Sequence, residues 1–312
     1  MSGPATVAVL APAKVNLWLE VLGLREDGFH EISTWMLAVD LCDRIEARRS
    51  EQPGVRLEVR GQGATSDIPP GSANLAWKGA EEVLRLAGRA GGGVDLVLDK
   101  RIPSQAGLGG GSSDAAAAWM AASAVLGVDL GTQNAKSALA RLGSDCVFFH
   151  EARETGLAHC SGRGEQVRPE PGPARAWWIA LATPEIVCPT AQVYAAHRRL
   201  PRQERTAPEL PARWSELPAS EVRPFVFNRL EAAALEAVPR LRSWRAALEA
   251  SGKGLWHLSG SGSSYFALCD SRAEAEELLD RLRRSCRAAG IPIRGACAQQ
   301  PAGHLAKFLG TK

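Results

Sequence analysis

The chain has 312 residues, 45% of them hydrophobic, and 37 basic against 34 acidic side chains give it a formal charge of +3. Such a chain can bury the cores of two ordinary domains, and its charges are spread out rather than gathered in blocks, which argues against a nucleic-acid partner. Seven cysteines without a C-x-x-C pair read as reduced thiols, and six histidines without zinc-like spacing predict no structural metal.

Residues 1–13 contain no Lys or Arg, so they lack the charged start of a secretory signal. No apolar run approaches the ~20 residues of a membrane-spanning helix. A soluble, cytoplasmic protein without a membrane partner is expected.

The first segments read as strands: 6–10, 15–22, and 34–41 leading into 44–48, with the turn residues Glu26-Asp27-Gly28 between the second and third. Residues 55–60 add another alternating run. Residues 75–86 carry the apolar spacing of a helix opening near Asn74. A short strand at 94–98 then leads into a glycine loop at 101–111 and an Ala-rich helix at 112–126. A further helix at 134–142 stops at Gly143, which places Asp145 just past a helix end, where a side chain can face a cleft.

Residues 176–183 read as a buried strand opening a second domain, which divides the chain into 1–170 and 171–312. Five prolines between 201 and 224 mark an exposed connection. Helical spacing over 225–250 is broken at Pro239. The rest reads as strand (255–258), glycine turn (260–262), strand (264–268), helix (272–288) and strand (291–298). Sheets with helices on one face, an α+β arrangement, suit that order.

The run Pro103-Ser104-Gln105-Ala106-Gly107-Leu108-Gly109-Gly110-Gly111-Ser112-Ser113 sets four glycines within five positions, directly ahead of a helix. Without Cβ atoms, successive N–H groups can turn inward around an anion, and the helix N-terminus adds donors and partial positive charge at the same point. A polyphosphate is the ligand such a loop favours. It is not a Walker loop, because Asp114 rather than Lys follows the serines, and Ser112 stands where a dinucleotide fingerprint needs glycine.

This loop, with Ala11-Pro12-Ala13-Lys14-Val15-Asn16-Leu17 and Ser259-Gly260-Ser261-Gly262-Ser263-Ser264, resembles in order the three motifs of the GHMP kinases, the superfamily of galactokinase, homoserine kinase, mevalonate kinase and phosphomevalonate kinase. The stretch Gly23-Leu24-Arg25-Glu26-Asp27-Gly28-Phe29-His30-Glu31-Ile32 resembles the substrate segment of the branch that acts on a cytidine diphosphate-linked methylerythritol in the non-mevalonate route to isoprenoid precursors. Gly162-Arg163-Gly164-Glu165 and Asn228-Arg229-Leu230-Glu231 resemble further stretches of that branch.

The resemblance implies a two-domain fold, with an N-terminal domain like the second domain of ribosomal protein S5 and a ferredoxin-like C-terminal domain, and with the active site between them. It implies ATP-dependent phosphorylation of the 2-hydroxyl of the cytidine-linked alcohol. Asp145 would be the general base and Lys14 its cationic partner. Phe29 and Tyr194 would stack on the two faces of the cytosine, His30 would bond its polar edge, and Asn16 and Thr190 would add polar contacts. ATP would be wrapped by residues 103–113, with Ser112 or Ser113 on a phosphate oxygen or Mg²⁺, while Asn74 would face the adenosine. Gly260 and Gly262 would let the second domain approach the nucleotide closely.

Two departures from the pattern stand out: Cys146-Val147 where the family continues Val-Pro, and Arg229 where it often has Asp. Two other readings compete. Phe29, His30 and Tyr194 argue against a GHMP kinase for a small alcohol without a base. The scattered charge, with Lys14 and Asp145 retained, argues against a non-catalytic nucleotide- or RNA-binding module. Monomer and homodimer both stay open.

Overall fold

A computed structural model of the chain describes residues 6–65, 67–88, 92–175, 177–201, 207–299 and 308–310. Among these, the elements in chain order are β1 (Thr6–Leu24), β2 (His30–Ser50), β3 (Gly54–Arg60), α1 (Leu75–Leu86), β4 (Gly93–Asp99), α2 (Gly110–Leu126), α3 (Thr132–Leu142), α4 (Ser144–Glu151), β5 (Leu157–Ser161) and β6 (Gln166–Glu170). Then follow β7 (Trp178–Pro184), α5 (Thr190–Arg199), the short α6 (Ala219–Val222), β8 (Phe227–Asn228), α7 (Glu231–Ala237), α8 (Leu241–Ser251), β9 (His257–Leu258), β10 (Tyr265–Cys269), α9 (Arg272–Ala289), β11 (Ile293–Gln299) and β12 (Phe308–Gly310). No helix among the described residues is long and apolar enough to cross a membrane.

The first sheet runs β12-β1-β2-β4-β3, with β5 pairing both β2 and β6, and β8 pairing β1. β3 and β4 are parallel, and α1 supplies the crossover that parallel neighbours require. The second sheet, β11-β7-β10-β9, is antiparallel throughout.

The separate strands expected at 6–10 and 15–22 are one 19-residue strand, and 34–48 lies within one 21-residue strand. β1 stays a single strand by shifting register between Pro12 and Ala13. Such a bulge moves the following residues to the opposite face. Before it, Val7, Val9 and Ala11 pack into the core beneath α1 to α4. Beyond it, Ala13, Val15 and Leu17 join a different core, shared with Ile179, Leu181, Phe266 and Leu268 of the second sheet. That shared apolar layer joins the two halves of the molecule, and it turns Lys14 and Asn16 to the opposite face.

Four further expectations change. α2 begins at Gly110 rather than at 112, because Gly109, in the left-handed region at φ +70°, already turns the chain into the helix. Asp145 lies just past the end of α3 as expected, but in the first turn of a further helix, α4; only Gly143 separates the two helices. The expected connection at 201–224 contains α6 and short 3₁₀ turns among its described residues. The second half also returns two strands, β8 and β12, to the first sheet. Ala176, the expected start of the strand opening the second half, lies outside the described residues, and β7 begins at Trp178.

Candidate active site

Between the two halves lies a cleft of about 930 Å³. The three motif segments meet on its floor through backbone contacts. The Lys14 amide donates to the carbonyl of Leu108 at 2.9 Å, and the Ser264 amide to that of Ala106 at 3.0 Å. The Ser259 hydroxyl donates to the Gly107 carbonyl at 3.0 Å. A Cβ on Gly107 would lie 2.3 Å from the Ser259 carbonyl oxygen, and one on Gly109 would lie 3.1 Å from Cγ of Lys14. The glycines here serve close approach of backbone to backbone as much as conformational freedom.

The first turn of α2 forms a cradle of open amides, of the kind that suits phosphate groups. Its first intrahelical bond, from the Ser113 amide to the Gly109 carbonyl at 2.9 Å, leaves the amides of Gly110, Gly111 and Ser112 without helical partners. No side chain caps this N-terminus, and all three residues line the cleft. Ser113 is buried with its hydroxyl oxygen unpartnered, and unlike Ser112 it is not among the residues lining the cleft. The side chains of Ala106 and Leu108 point the other way, into the core between the sheets. Ser104 and Gln105 are engaged by Asp67: the Ser104 hydroxyl and the Gln105 amide, at 3.1 Å, both donate to its carboxylate. The bonds from Ser104 and Thr65 hold the Asp67 carboxyl down at about 2. Pro103 lines the same wall.

Beneath the cradle, Lys100 donates to both Asp43 and Asp114, the latter at 2.6 Å, with all three buried. Asp43 also accepts from the amides of Arg101 at 2.5 Å and Ile102 at 2.8 Å. Two carboxyl groups and one ammonium thus tie β2, the end of β4, the start of the loop and α2 together. Burial raises the Asp114 carboxyl to about 8 against the pull of the Lys100 ammonium.

Lys14 and Asp145 face one another across the cradle, Nζ to Oδ2 at 3.5 Å. Lys14 also donates to Asn16 Oδ1 at 2.6 Å, and Asn16 donates to Thr34 Oγ1 at 2.9 Å, so the buried ammonium has a fixed direction. Asp145 sits in the first turn of α4. Cys146 and Val147, at the departure from the family pattern, are buried in the core under the first sheet and belong to α4 without a proline. Gly260 backs the pair: a Cβ there would lie 3.3 Å from both Lys14 Nζ and Asn16 Oδ1. Its turn is held by Asn228, whose amide donates to the carbonyls of Leu258 at 2.9 Å and Gly260 at 2.8 Å.

At the other end of the cleft the rings are arranged differently from the expected sandwich. His30 stacks on Tyr194, centroids 4.8 Å apart and tilted by 32°. Phe29 is 50% exposed, and the guanidinium of Arg163 lies 4.9 Å from its centroid. His30 is buried with Nε2 unpartnered, and burial holds its pKa below the ordinary value, so it presents a neutral ring edge. Thr190 shares a hydrogen bond of 2.8 Å with Ser261 of the glycine turn. Asn74 spends its side chain on α1, accepting from the Ala76 amide at 2.9 Å and donating to the Pro69 carbonyl at 2.9 Å, while still lining the cleft.

Sequence reasoning did not single out Asp43, Asp67, Lys100, Asp114 or Asn228 for a role. Asn228 stands inside a quoted stretch and Asp114 directly follows the glycine loop, which was the available signal. Asp67 had none, since it reaches the loop from a separate turn.

The GHMP kinases N terminal domain family matches residues 74–152 and the GHMP kinases C terminal family residues 217–288. The chain is 37% identical over 268 residues to the 4-diphosphocytidyl-2-C-methyl-D-erythritol kinase of Geobacter sp. (strain M21), covering 86% of this chain and 91% of that one. It is 36% identical over 309 residues to the enzyme of that name from Nocardia farcinica, covering 96% and 98%. Among solved structures, a 4-(cytidine 5'-diphospho)-2C-methyl-D-erythritol kinase superposes with a TM-score of 0.72 at 33% identity, over 95% of this chain and 100% of that one. A homoserine kinase from Cytophaga hutchinsonii gives the same TM-score of 0.72 at 20% identity, over 99% of each chain, a likeness of fold alone.

Proposed function

From the premise that this chain belongs to the 4-diphosphocytidyl-2-C-methyl-D-erythritol kinases of the GHMP superfamily, we propose how its residues phosphorylate that cytidine-linked alcohol with ATP. The observation that carries the reading is the placement of the Lys14–Asp145 pair beside the open amides of α2. Phosphoryl transfer asks a protein chiefly for positioning and charge stabilisation, with a base at the attacking hydroxyl.

The amides of Gly110, Gly111 and Ser112 hold the triphosphate of ATP, with the Ser112 or Ser113 hydroxyl on a phosphate oxygen or on the Mg²⁺ that accompanies it. Mg²⁺, when bound, offsets charge on the phosphates. Asp145 accepts the proton of the 2-hydroxyl as that oxygen bonds to the γ-phosphorus, and the bond from the γ-phosphorus to the β–γ bridging oxygen breaks to release ADP. Lys14, aimed by Asn16, faces the carboxylate and turns it toward the cradle. At the far end Phe29, His30 and Tyr194 receive the cytosine: apolar ring faces for stacking, the His30 edge for reading polar groups. Asn74 and the adjoining turn border the adenosine. In this reading residues 1–170 form the ATP-binding domain and 171–312 the second, with substrates held where they meet.

The direct test incubates purified protein with Mg·ATP and the diphosphocytidyl alcohol and follows phosphorus NMR. A new phosphomonoester resonance is expected; its absence, with an active control enzyme alongside, would overturn the assignment.

A further inference from the structure

The substrate of this reading has a base at one end, the accepting hydroxyl at the other and a diphosphate between. The turn joining β5 to β6 touches both ends. Arg163 lies against Phe29, while a Cβ on the next residue, Gly164, would lie 3.7 Å from Asp145 Oδ1. The turn is firmly seated. The Gly162 amide donates to Glu31 Oε1 at 2.9 Å, and the Gly162 carbonyl accepts from the Ile32 amide at 2.7 Å.

Among the described residues, four cationic side chains line the cleft: Lys14, Lys100, Arg163 and Arg198. Lys14 is engaged by Asn16 and Asp145, and Lys100 by Asp43 and Asp114. Arg198 follows Tyr194 by one turn of α5 and acts on His30, so it belongs to the base end. Arg163 is held on one side only. Its Nη2 donates to the Ala140 carbonyl at 2.6 Å and its Nε stands 4.0 Å from Glu165, whereas Nη1 has no hydrogen-bond partner among the described residues. Glu165 and Asp27 are the acidic groups that face it.

We propose that Arg163 binds the diphosphate of the acceptor substrate, its guanidinium braced by Phe29 and Ala140 and its free edge turned to the phosphate oxygens. The inference rests on the proposed substrate. A planar fork with one edge already anchored loses little freedom on binding an anion and matches phosphate geometry.

The probes are cytidine and cytidine 5'-diphosphate, titrated by calorimetry with ADP saturating the donor cradle. A charge-assisted contact predicts that wild type binds the diphosphate at least about 10-fold more tightly than cytidine, and that Arg163→Met brings the ratio to within about 3-fold. Arg163→Lys keeps part of the preference, as a point charge without the fork. Because loss of the ring contact or of folded protein affects both probes alike, the ratio isolates the phosphate contact. In turnover, Arg163→Met raises KM for the alcohol and leaves kcat and KM for ATP near wild type. An unchanged ratio in Arg163→Met, or a rise in KM for ATP instead, overturns the proposal while the substrate assignment stands. If wild type binds neither probe, the assignment falls too and takes the proposal with it.

Discussion

Arg229 and Glu20 meet in a two-point ion pair, Nε to Oε1 at 2.7 Å and Nη2 to Oε2 at 2.6 Å. Both are largely shielded from solvent, with side-chain exposures of 10% and 14%. The pair pins the segment carrying Asn228 to β1, and Asn228 in turn holds the glycine turn behind Lys14. An arginine where the family often has aspartate is therefore matched by a carboxylate across the junction. Glu20→Ala removes both of these bonds from the guanidinium and is expected to cost about 3 kcal/mol, the low end for breaking one side of a buried pair. Urea denaturation measures it, and exchanging the two residues should recover part of the loss. A cost under about 0.5 kcal/mol would assign the pair to the weak surface class.

Asp145→Asn preserves shape and removes the proton acceptor. We expect kcat to fall roughly 10²–10⁴-fold, the range for a lost general base, with the affinity for a fluorescent ATP analogue unchanged. Near-normal turnover would take Asp145 out of the reaction.

Gly107→Ala places a Cβ 2.3 Å from the Ser259 carbonyl oxygen, at a residue with φ +77°. Backbone must move on one side, and the loop shared by all three motifs moves with it. The expected outcome is a KM for ATP raised more than the KM for the alcohol; equal changes in both would mean that the loop does not position the donor.

Asp114 carries a pH signature. Its carboxyl is raised from the ordinary 3.8 to about 8, chiefly by burial, while Lys100 opposes the rise and Asp43 adds to it. The folded protein therefore keeps a proton that the unfolded chain releases above about pH 4, so this group's contribution is complete at lower pH and declines as pH climbs toward 8. Urea midpoints of wild type should fall relative to those of Asp114→Asn between about pH 5 and pH 8. Parallel midpoints across that window would contradict a retained proton.

Where elements were long and one-sided, the sequence was legible. α1 spans Leu75–Leu86 with Asn74 as its cap, as expected, because its buried positions Ala76, Gly79, Ala80, Val83 and Leu84 form a single stripe. α7 and α8 divide around Pro239. The missed elements had no such pattern. α4 is only eight residues long, and its middle, Cys146 to His150, is buried on every side. β5 and β6 are five residues each and gain their stability by pairing with β2 and with one another. α5 was noticed for its threonine and tyrosine, not for a helical face.

By itself the sequence determined the chemistry on offer: a glycine loop with bare amides, a lysine and an aspartate in separate motifs, and rings near a cytidine-like segment. Those are properties of residue type and short spacing. Tertiary structure alone decided which of them meet. The bulge at Pro12 and Ala13 turns Lys14 onto the face of α2, the layer between the sheets seats Gly260 behind it, and the β5–β6 turn carries Arg163 to Phe29. Each of those meetings joins residues distant along the chain, and packing, not local preference, sets where such residues come to rest.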